Sequence, residues 1–223
     1  MGINDIPKNQ KVIKPWGSEY KIYSNSVSST KLLRINSDKS TSLHCHPIKK
    51  TGFVLIKGAV DVDLGFYNTK KLFPISRLMI RPGLFHCTKN LNKDTATILE
   101  IETPINKDDL VRFKDNYGRE NKPYEDKKSM VKLNGNDPIF EEPKLNSVNE
   151  YLVDGVNIKI NKTNNISQLL KLESNSIVAV LEGGFESEDN QLVLSPGDIV
   201  GLETIKKLAE VFKIQKYITY LTI

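Results

Sequence analysis

The sequence predicts an all-β protein of two lobes, and three observations carry that expectation. Short runs of β-branched and aromatic residues alternate in polarity. In Ala59 to Phe66, Val60, Val62, Leu64 and Phe66 fall on one face, with Asp61 and Asp63 on the other. Tight-turn signals separate such runs at Lys57-Gly58, Gly65, Asn68 and Pro82-Gly83. The pattern also recurs: Val178-Ala179-Val180-Leu181-Glu182-Gly183 answers Val54-Leu55-Ile56-Lys57-Gly58. Likewise Leu192-Val193-Leu194-Ser195-Pro196-Gly197 answers Leu78-Met79-Ile80-Arg81-Pro82-Gly83. Short strands joined by tight turns predict a sandwich or barrel. A repeat of this kind predicts two packed lobes.

Taken in order, Gly52 to Ile56 is a short apolar run that suits a buried strand, and further strands are expected at Arg77–Ile80 and Thr95–Glu102. The period then changes. Leu110, Phe113 and Tyr117 recur at three and four, Asp108 and Asp109 suit a helix start, and Gly118 suits its end, so a short helix is expected over 108–119. From Glu120 to about Glu150 the chain is polar and carries Pro123, Pro138 and Pro143, as in a linker or surface strap. The expected organisation is a barrel with a C-terminal helical turn over 1–120, a linker or strap over 121–150, and a weaker second lobe over 151–223.

Composition narrows the function. No run approaches the roughly 20 apolar residues of a membrane span. The start, Met1 to Lys8, lacks a secretory core, so a cytoplasmic location is expected. The net charge of +5 comes from scattered lysines, including the pairs 49–50, 70–71, 127–128 and 206–207, rather than from one basic face. That distribution argues against nucleic acid and suits an anionic small molecule. Two cysteines are too few for a disulfide framework.

All three histidines of the chain fall where one ion could collect them. His44 and His46 are two apart in a strand-like stretch, hence on one face, and His86 follows the Pro82-Gly83 turn. Imidazole nitrogens bind metals at roughly 2.0–2.1 Å, and a neighbouring strand can bring the third ring. Alternation turns Cys45 and Cys87 away from that face, which argues against their ligation. In the second copy Val200 stands where the first has His86, so that lobe is expected to be a shorter, metal-free barrel.

His44-x-His46, Gly58, and Pro82-Gly83-x-x-His86-x-x-x-Asn90 together resemble the two motifs of the cupin superfamily. Lys14-Pro15-Trp16-Gly17 and Asp109-Leu110-Val111-Arg112-Phe113-Lys114-Asp115-Asn116-Tyr117-Gly118-Arg119 are similar to the cupin domain of type II mannose-6-phosphate isomerases, often fused to a mannose-1-phosphate guanylyltransferase. The resemblance implies a cupin barrel (a double-stranded β-helix, or jelly roll) with one divalent metal in its mouth, in a bicupin-like chain. It covers the first copy and the run after it. One departure stands out: the family's glutamate would fall at Thr51, or at Lys50 on the shorter spacing, and neither is a carboxylate.

Those residues and that resemblance imply a metal site of His44, His46 and His86, holding zinc, manganese, nickel or iron. Lys49, Arg112 and Arg119 are the expected substrate-binding groups, since a guanidinium grips phosphate bidentately. For the two arginines a salt bridge with Asp109 or Asp115 is the alternative. Lys49, Glu100 and Tyr117 are the candidate catalytic groups, and Glu102 shares a face with Glu100. The expected ligand is a sugar phosphate or nucleotide sugar, and the expected activity is isomerase or epimerase in carbohydrate or surface-polysaccharide metabolism. A non-catalytic sugar-binding module and a three-histidine iron dioxygenase remain as alternatives. The second lobe is expected to be structural or to form a homodimer surface, two-fold pairing being the commonest oligomer.

Overall fold

A computed structural model of the chain describes residues 9–106, 108–119 and 127–223. The first strands are β1 (Gln10–Lys14), β2 (Gly17–Ser24), β3 (Ser29–Ile35), β4 (Lys39–Ser40), β5 (Leu43–Cys45) and β6 (Lys50–Lys57). They are followed by β7 (Val60–Leu64), β8 (Asn68–Leu72), β9 (Ser76–Ile80), β10 (His86–Asn90) and β11 (Ala96–Thr103). Next come β12 (Val111–Lys114), a 3-10 turn (Lys127–Ser129), β13 (Met130–Lys132), β14 (Ser147–Val153) and β15 (Val156–Thr163). The chain finishes with α1 (Ile166–Leu170), β16 (Ile177–Glu186), β17 (Leu192–Leu194), β18 (Ile199–Gly201), α2 (Leu202–Ala209) and β19 (Lys213–Thr222).

These strands form three antiparallel sheets. The central one runs β13-β1-β2-β3-β11-β6-β9, and the outer one β12-β5-β10-β7-β8 with β4 on β10. The third runs β14-β15-β19-β16-β17, with β18 also on β16. The central sheet is covered on both faces, which is why Gly52 to Ile56 reads as an unbroken apolar run. Phe53 and Leu55 pack with Val60, Val62 and Leu72 inside the barrel made with the outer sheet. Val54 and Ile56 point the other way, into a core shared with Ile158, Ile160, Ala179 and Leu221 of the third sheet. The two lobes thus share one apolar layer.

The barrel interior changes character along its axis. In the ladder of β11 with β3, Ala96 faces Ile35 and Ile98 faces Leu33, but Glu100 faces Lys31. On β6 the matching positions are Leu55, Phe53 and Thr51, opposite Ile98, Glu100 and Glu102. An apolar floor therefore gives way to a polar, charged mouth within three successive inward positions.

The third sheet repeats the central one in a specific sense. In β2-β3-β11-β6-β9 and in β14-β15-β19-β16-β17, the first, second, last, third and fourth strands in chain order lie side by side. The expected second barrel is nevertheless not closed. Pro82-Gly83 sends β10 across to the outer sheet, whereas after Pro196-Gly197 β18 returns to β16, with Val200 paired to Val178. Helices α1 and α2 take the place of a second sheet, burying Leu169, Leu202 and Ile205 against Val178, Val180 and Tyr220. Lys206 and Lys207 of α2 stay in solvent, completing its amphipathic pattern.

Two further expectations are corrected. Residues 111–114 form a strand, not part of a helix, because Val111 and Phe113 point outward while Arg112 pairs with His44 across β12 and β5. The three-and-four spacing misled because Phe113 belongs to an external aromatic group with Phe66 and Phe85, whereas Tyr117 packs at the barrel core. Phe66 accordingly lies beyond the end of β7, exposed. The expected strap begins at residues outside the described ones (120–126), but 130–146 is more than a strap. There β13 adds an edge strand to β1, and Phe140 is buried in the shared core with its N–H donating to Ile22 O. The third sheet starts at Ser147, ahead of the expected boundary at 151.

Candidate metal centre

Chain geometry brings the three histidines together. His44 lies on β5 and is the register partner of His86 on β10. His46 follows β5, and its carbonyl accepts from Gly83 N (2.8 Å), tying it to the Pro82-Gly83 turn that launches β10. Ring centroids stand 4.4 Å (His44–His86), 5.1 Å (His44–His46) and 5.7 Å (His46–His86) apart. One ligand nitrogen of each ring lies within 4.8 Å of the others.

The other ring nitrogen is committed in every case. Nδ1 of His44 faces Ser42 O (2.8 Å), Nδ1 of His86 faces Leu84 O (3.0 Å), and Nδ1 of His46 faces the carbonyl of Asp109. A carbonyl only accepts, so Nδ1 carries the proton and Nε2 is left with its lone pair. Nε2 of His86 is buried with no hydrogen-bond partner among the described residues. Burial pushes His86 down to about 4, and burial likewise lowers His44 and His46, the neighbouring imidazoles adding to the effect on His44. All three are neutral near pH 7, the form a metal requires. This donor set fits a divalent metal.

Two carboxylates line the same cavity. Glu100 and Glu102 both point inward from β11 and, with His46, form a second group whose ligand atoms lie within 4.8 Å of one another. Glu102 is gripped by Lys31 (2.8 Å) and Lys49 (3.0 Å). Burial disfavours its charge, but the two ammonium groups outweigh burial and hold it below the ordinary carboxylate range. Glu100 pairs with Lys31 at the longer distance of 3.6 Å, and burial with the neighbouring Glu102 charge pushes it up to about 7 despite the nearby lysines. The cavity, about 630 Å³ including its open mouth, is also lined by Lys14, Glu19, Arg112 and Arg119.

The expected substrate-binding residues fare differently. Lys49 is buried on Glu102, and Arg112 lines the cavity, held by Ser42 Oγ (3.3 Å) and Arg119 O (2.8 Å). Arg119 also lines it, but its guanidinium is clamped by Asp115 (2.7 and 3.0 Å) and lies 5.2 Å from the Tyr117 ring centre. The Tyr117 hydroxyl donates to Ser40 O (3.1 Å), and the residue stands behind the cavity wall rather than in it. Cys45 and Cys87 are buried free thiols outside that wall.

Sequence reasoning gave Asp109 only as a helix start or a salt-bridge partner. Its carboxylate accepts from the N–H groups of Ile48 (2.9 Å) and Lys49 (2.7 Å), while its carbonyl faces His46. One residue thereby sets both the turn between β5 and β6 and a ligand ring.

The profile of the family described as mannose-6-phosphate isomerase C-terminal matches residues 2–115. The chain belongs to that family. The match takes in His44, His46, His86, Glu100 and Glu102, and it stops before the third sheet. Among curated relatives, the xanthan biosynthesis protein XanB of Xanthomonas campestris pv. campestris is 26% identical over 120 residues, 53% of this chain and 26% of that protein. The mannose-1-phosphate guanylyltransferase ManC of Salmonella typhimurium is 26% identical over 120 residues, 53% of this chain and 25% of that protein. The match thus spans about a quarter of the length of either relative. A double-stranded β-helix protein from Klebsiella pneumoniae overlays at a TM-score of 0.40 and 13% identity, covering 44% of this chain and 85% of that one. A likeness of that size carries no weight for function. No helix among the described residues is long and apolar enough to cross a membrane.

Proposed function

We propose that the chain is a metal-dependent cupin acting on a phosphorylated or nucleotide-linked sugar, as an isomerase or epimerase of carbohydrate or surface-polysaccharide metabolism. The observation that carries this reading is the convergence of three imidazoles whose Nδ1 atoms all face backbone carbonyls. His44, His46 and His86 would hold zinc, manganese, nickel or iron. When bound, such a metal polarises a sugar carbonyl or hydroxyl oxygen.

The protein's own groups divide the remaining work. Glu100, a buried carboxyl that titrates near neutrality, takes a proton from one sugar carbon and, after exchange with solvent, delivers one to the neighbouring carbon while the hydroxyl proton passes from one sugar oxygen to the other, leaving the enzyme unchanged. Arg112, a guanidinium in the cavity wall, suits the anionic part of the substrate. The match to a mannose-6-phosphate isomerase family supports the sugar-phosphate class. A three-histidine iron dioxygenase was attractive for a site lacking carboxylates, and Glu100 and Glu102 in the wall withdraw that support.

The test is elemental analysis of the purified protein followed by incubation of the metal-loaded form with sugar phosphates in deuterated water. Stoichiometric metal, with deuterium entering a sugar carbon, is the expected result. Binding without exchange would make it a non-catalytic sugar-binding module, and absence of metal would overturn the reading as a whole.

A further inference from the structure

We infer that Glu102 supplies the metal centre with the carboxylate that position 51 lacks, so that the ligand has moved across the sheet from β6 to β11. The inference rests on the metal site of the proposed function and adds a ligand to it. In the β11–β6 ladder Glu102 is the register partner of Thr51, and directly paired residues of an antiparallel sheet project to the same face. Here that face is the barrel interior. Thr51 is buried, and its hydroxyl has no hydrogen-bond partner among the described residues.

The geometry then brings the carboxylate to His46, one of the three histidines. Oε1 of Glu102 lies 4.0 Å from Nε2 of His46, the nitrogen that the Asp109 carbonyl leaves open. Oε1 also accepts from Lys49 and Oε2 pairs with Lys31, so the carboxylate is fixed by two cations while Oε1 stays near His46. Glu100 is less suited: its register partner is Phe53, and no ion pair between Glu100 and any of the histidines is found among the described residues.

The test measures metal binding rather than turnover. Wild-type protein, Glu102→Gln, and the double variant Glu102→Gln/Thr51→Glu are stripped and titrated with Co²⁺, whose visible spectrum reports the ligand set. Glu102→Gln should weaken Co²⁺ binding by about tenfold or more and alter the spectrum. Thr51→Glu in that background should recover affinity and the wild-type band pattern, which also controls for misfolding. Unchanged affinity and spectrum in Glu102→Gln, with tight binding by wild type, would reduce Glu102 to a counter-ion of the two lysines and leave the three-histidine site standing. Failure of wild type itself to bind Co²⁺ would overturn this inference and the proposed function together.

Discussion

His46 and Asp109 are bound to each other by two routes. The imidazole Nδ1 faces the Asp109 carbonyl, and the Asp109 carboxylate holds the backbone of Ile48 and Lys49 immediately after that histidine. The segment between β11 and β12 therefore acts as a brace for the ligand turn. Asp109 is buried, with its carboxylate spent on those two backbone amides.

Replacing Asp109 by alanine should remove the brace and leave two amide donors without acceptors. Each such donor costs on the order of 1–3 kcal/mol, so a loss of about 2–6 kcal/mol is expected. Denaturant titration checks the stability, and metal titration checks the ligand turn. Asp109→Asn, which retains one acceptor oxygen, should fall between wild type and alanine. Equal stability for all three proteins would refute the brace.

Glu100 gives a pH signature. Its folded pKa of about 7 exceeds the ordinary 4.5, so between those values the folded protein keeps a proton that the unfolded chain has released. The stability linked to that proton is present below pH 4.5 and is lost as pH rises through 7. His86 acts oppositely over nearly the same window: its folded pKa of about 4 lies below 6.5, so its contribution is present above 6.5 and lost as pH falls through 4. Glu100→Gln removes the first effect alone. The metal-free variant should melt at a higher temperature than wild type at pH 8 and at nearly the same temperature at pH 4.5. A gap that does not vary with pH would show that Glu100 titrates normally.

How far the sequence reached depended on the range of the interaction. The histidine trio was legible because His44 and His46 need only a period of two, and the Pro82-Gly83 turn announced the third ring. Glu102 was visible as an inward or outward partner of Glu100, but its position opposite Thr51 depends on the register of β11 against β6, which no local pattern encodes. The strand at 111–114 was misread because Leu110, Phe113 and Tyr117 fall at helical spacing by coincidence: one lines the cavity, one packs outside the barrel and one packs at its core. The repeat was legible in its glycine and Pro-Gly turns. Replacement of its second sheet by α1 and α2 was not, because β18 rejoins β16 through long-range pairing.

The shared apolar layer makes a thermodynamic claim. Ile199 of β18 packs so closely on the central sheet that a Cβ built at Gly52 would lie 2.4 Å from its Cδ1. Because Val54 and Leu99 share that cluster with Ile160 and Leu221, the two lobes should unfold together. Calorimetry should give one transition whose van't Hoff and calorimetric enthalpies agree. Ile199→Ala should lower stability by about 2–5 kcal/mol and still melt in one step. Two resolved transitions would mean that the lobes fold independently.

Arg112 and Arg119 both reach the cavity, yet their surroundings predict opposite phenotypes. Arg112 is half-buried and anchored through one amino group to the Arg119 carbonyl and through Nε to Ser42, on the same strand pair as His44. Arg112→Ala should leave folding nearly intact and weaken a sugar phosphate by about 1.5–3 kcal/mol, measured by calorimetric titration of the metal-loaded protein. Arg119 instead neutralises Asp115, whose side chain is completely buried. Burial works against the Asp115 charge, but the Arg119 guanidinium and backbone N–H overcome it and hold the carboxyl below its usual range. Arg119→Ala strands that charge, a loss of about 3–5 kcal/mol for a broken buried pair. It should therefore act on the denaturation midpoint before it acts on binding, and Asp115→Asn in the same background should restore part of the stability. A folded, stable Arg119→Ala protein that fails only in sugar-phosphate binding would reverse the assignment, making Arg119 the anion-binding group and Asp115 its positioning partner.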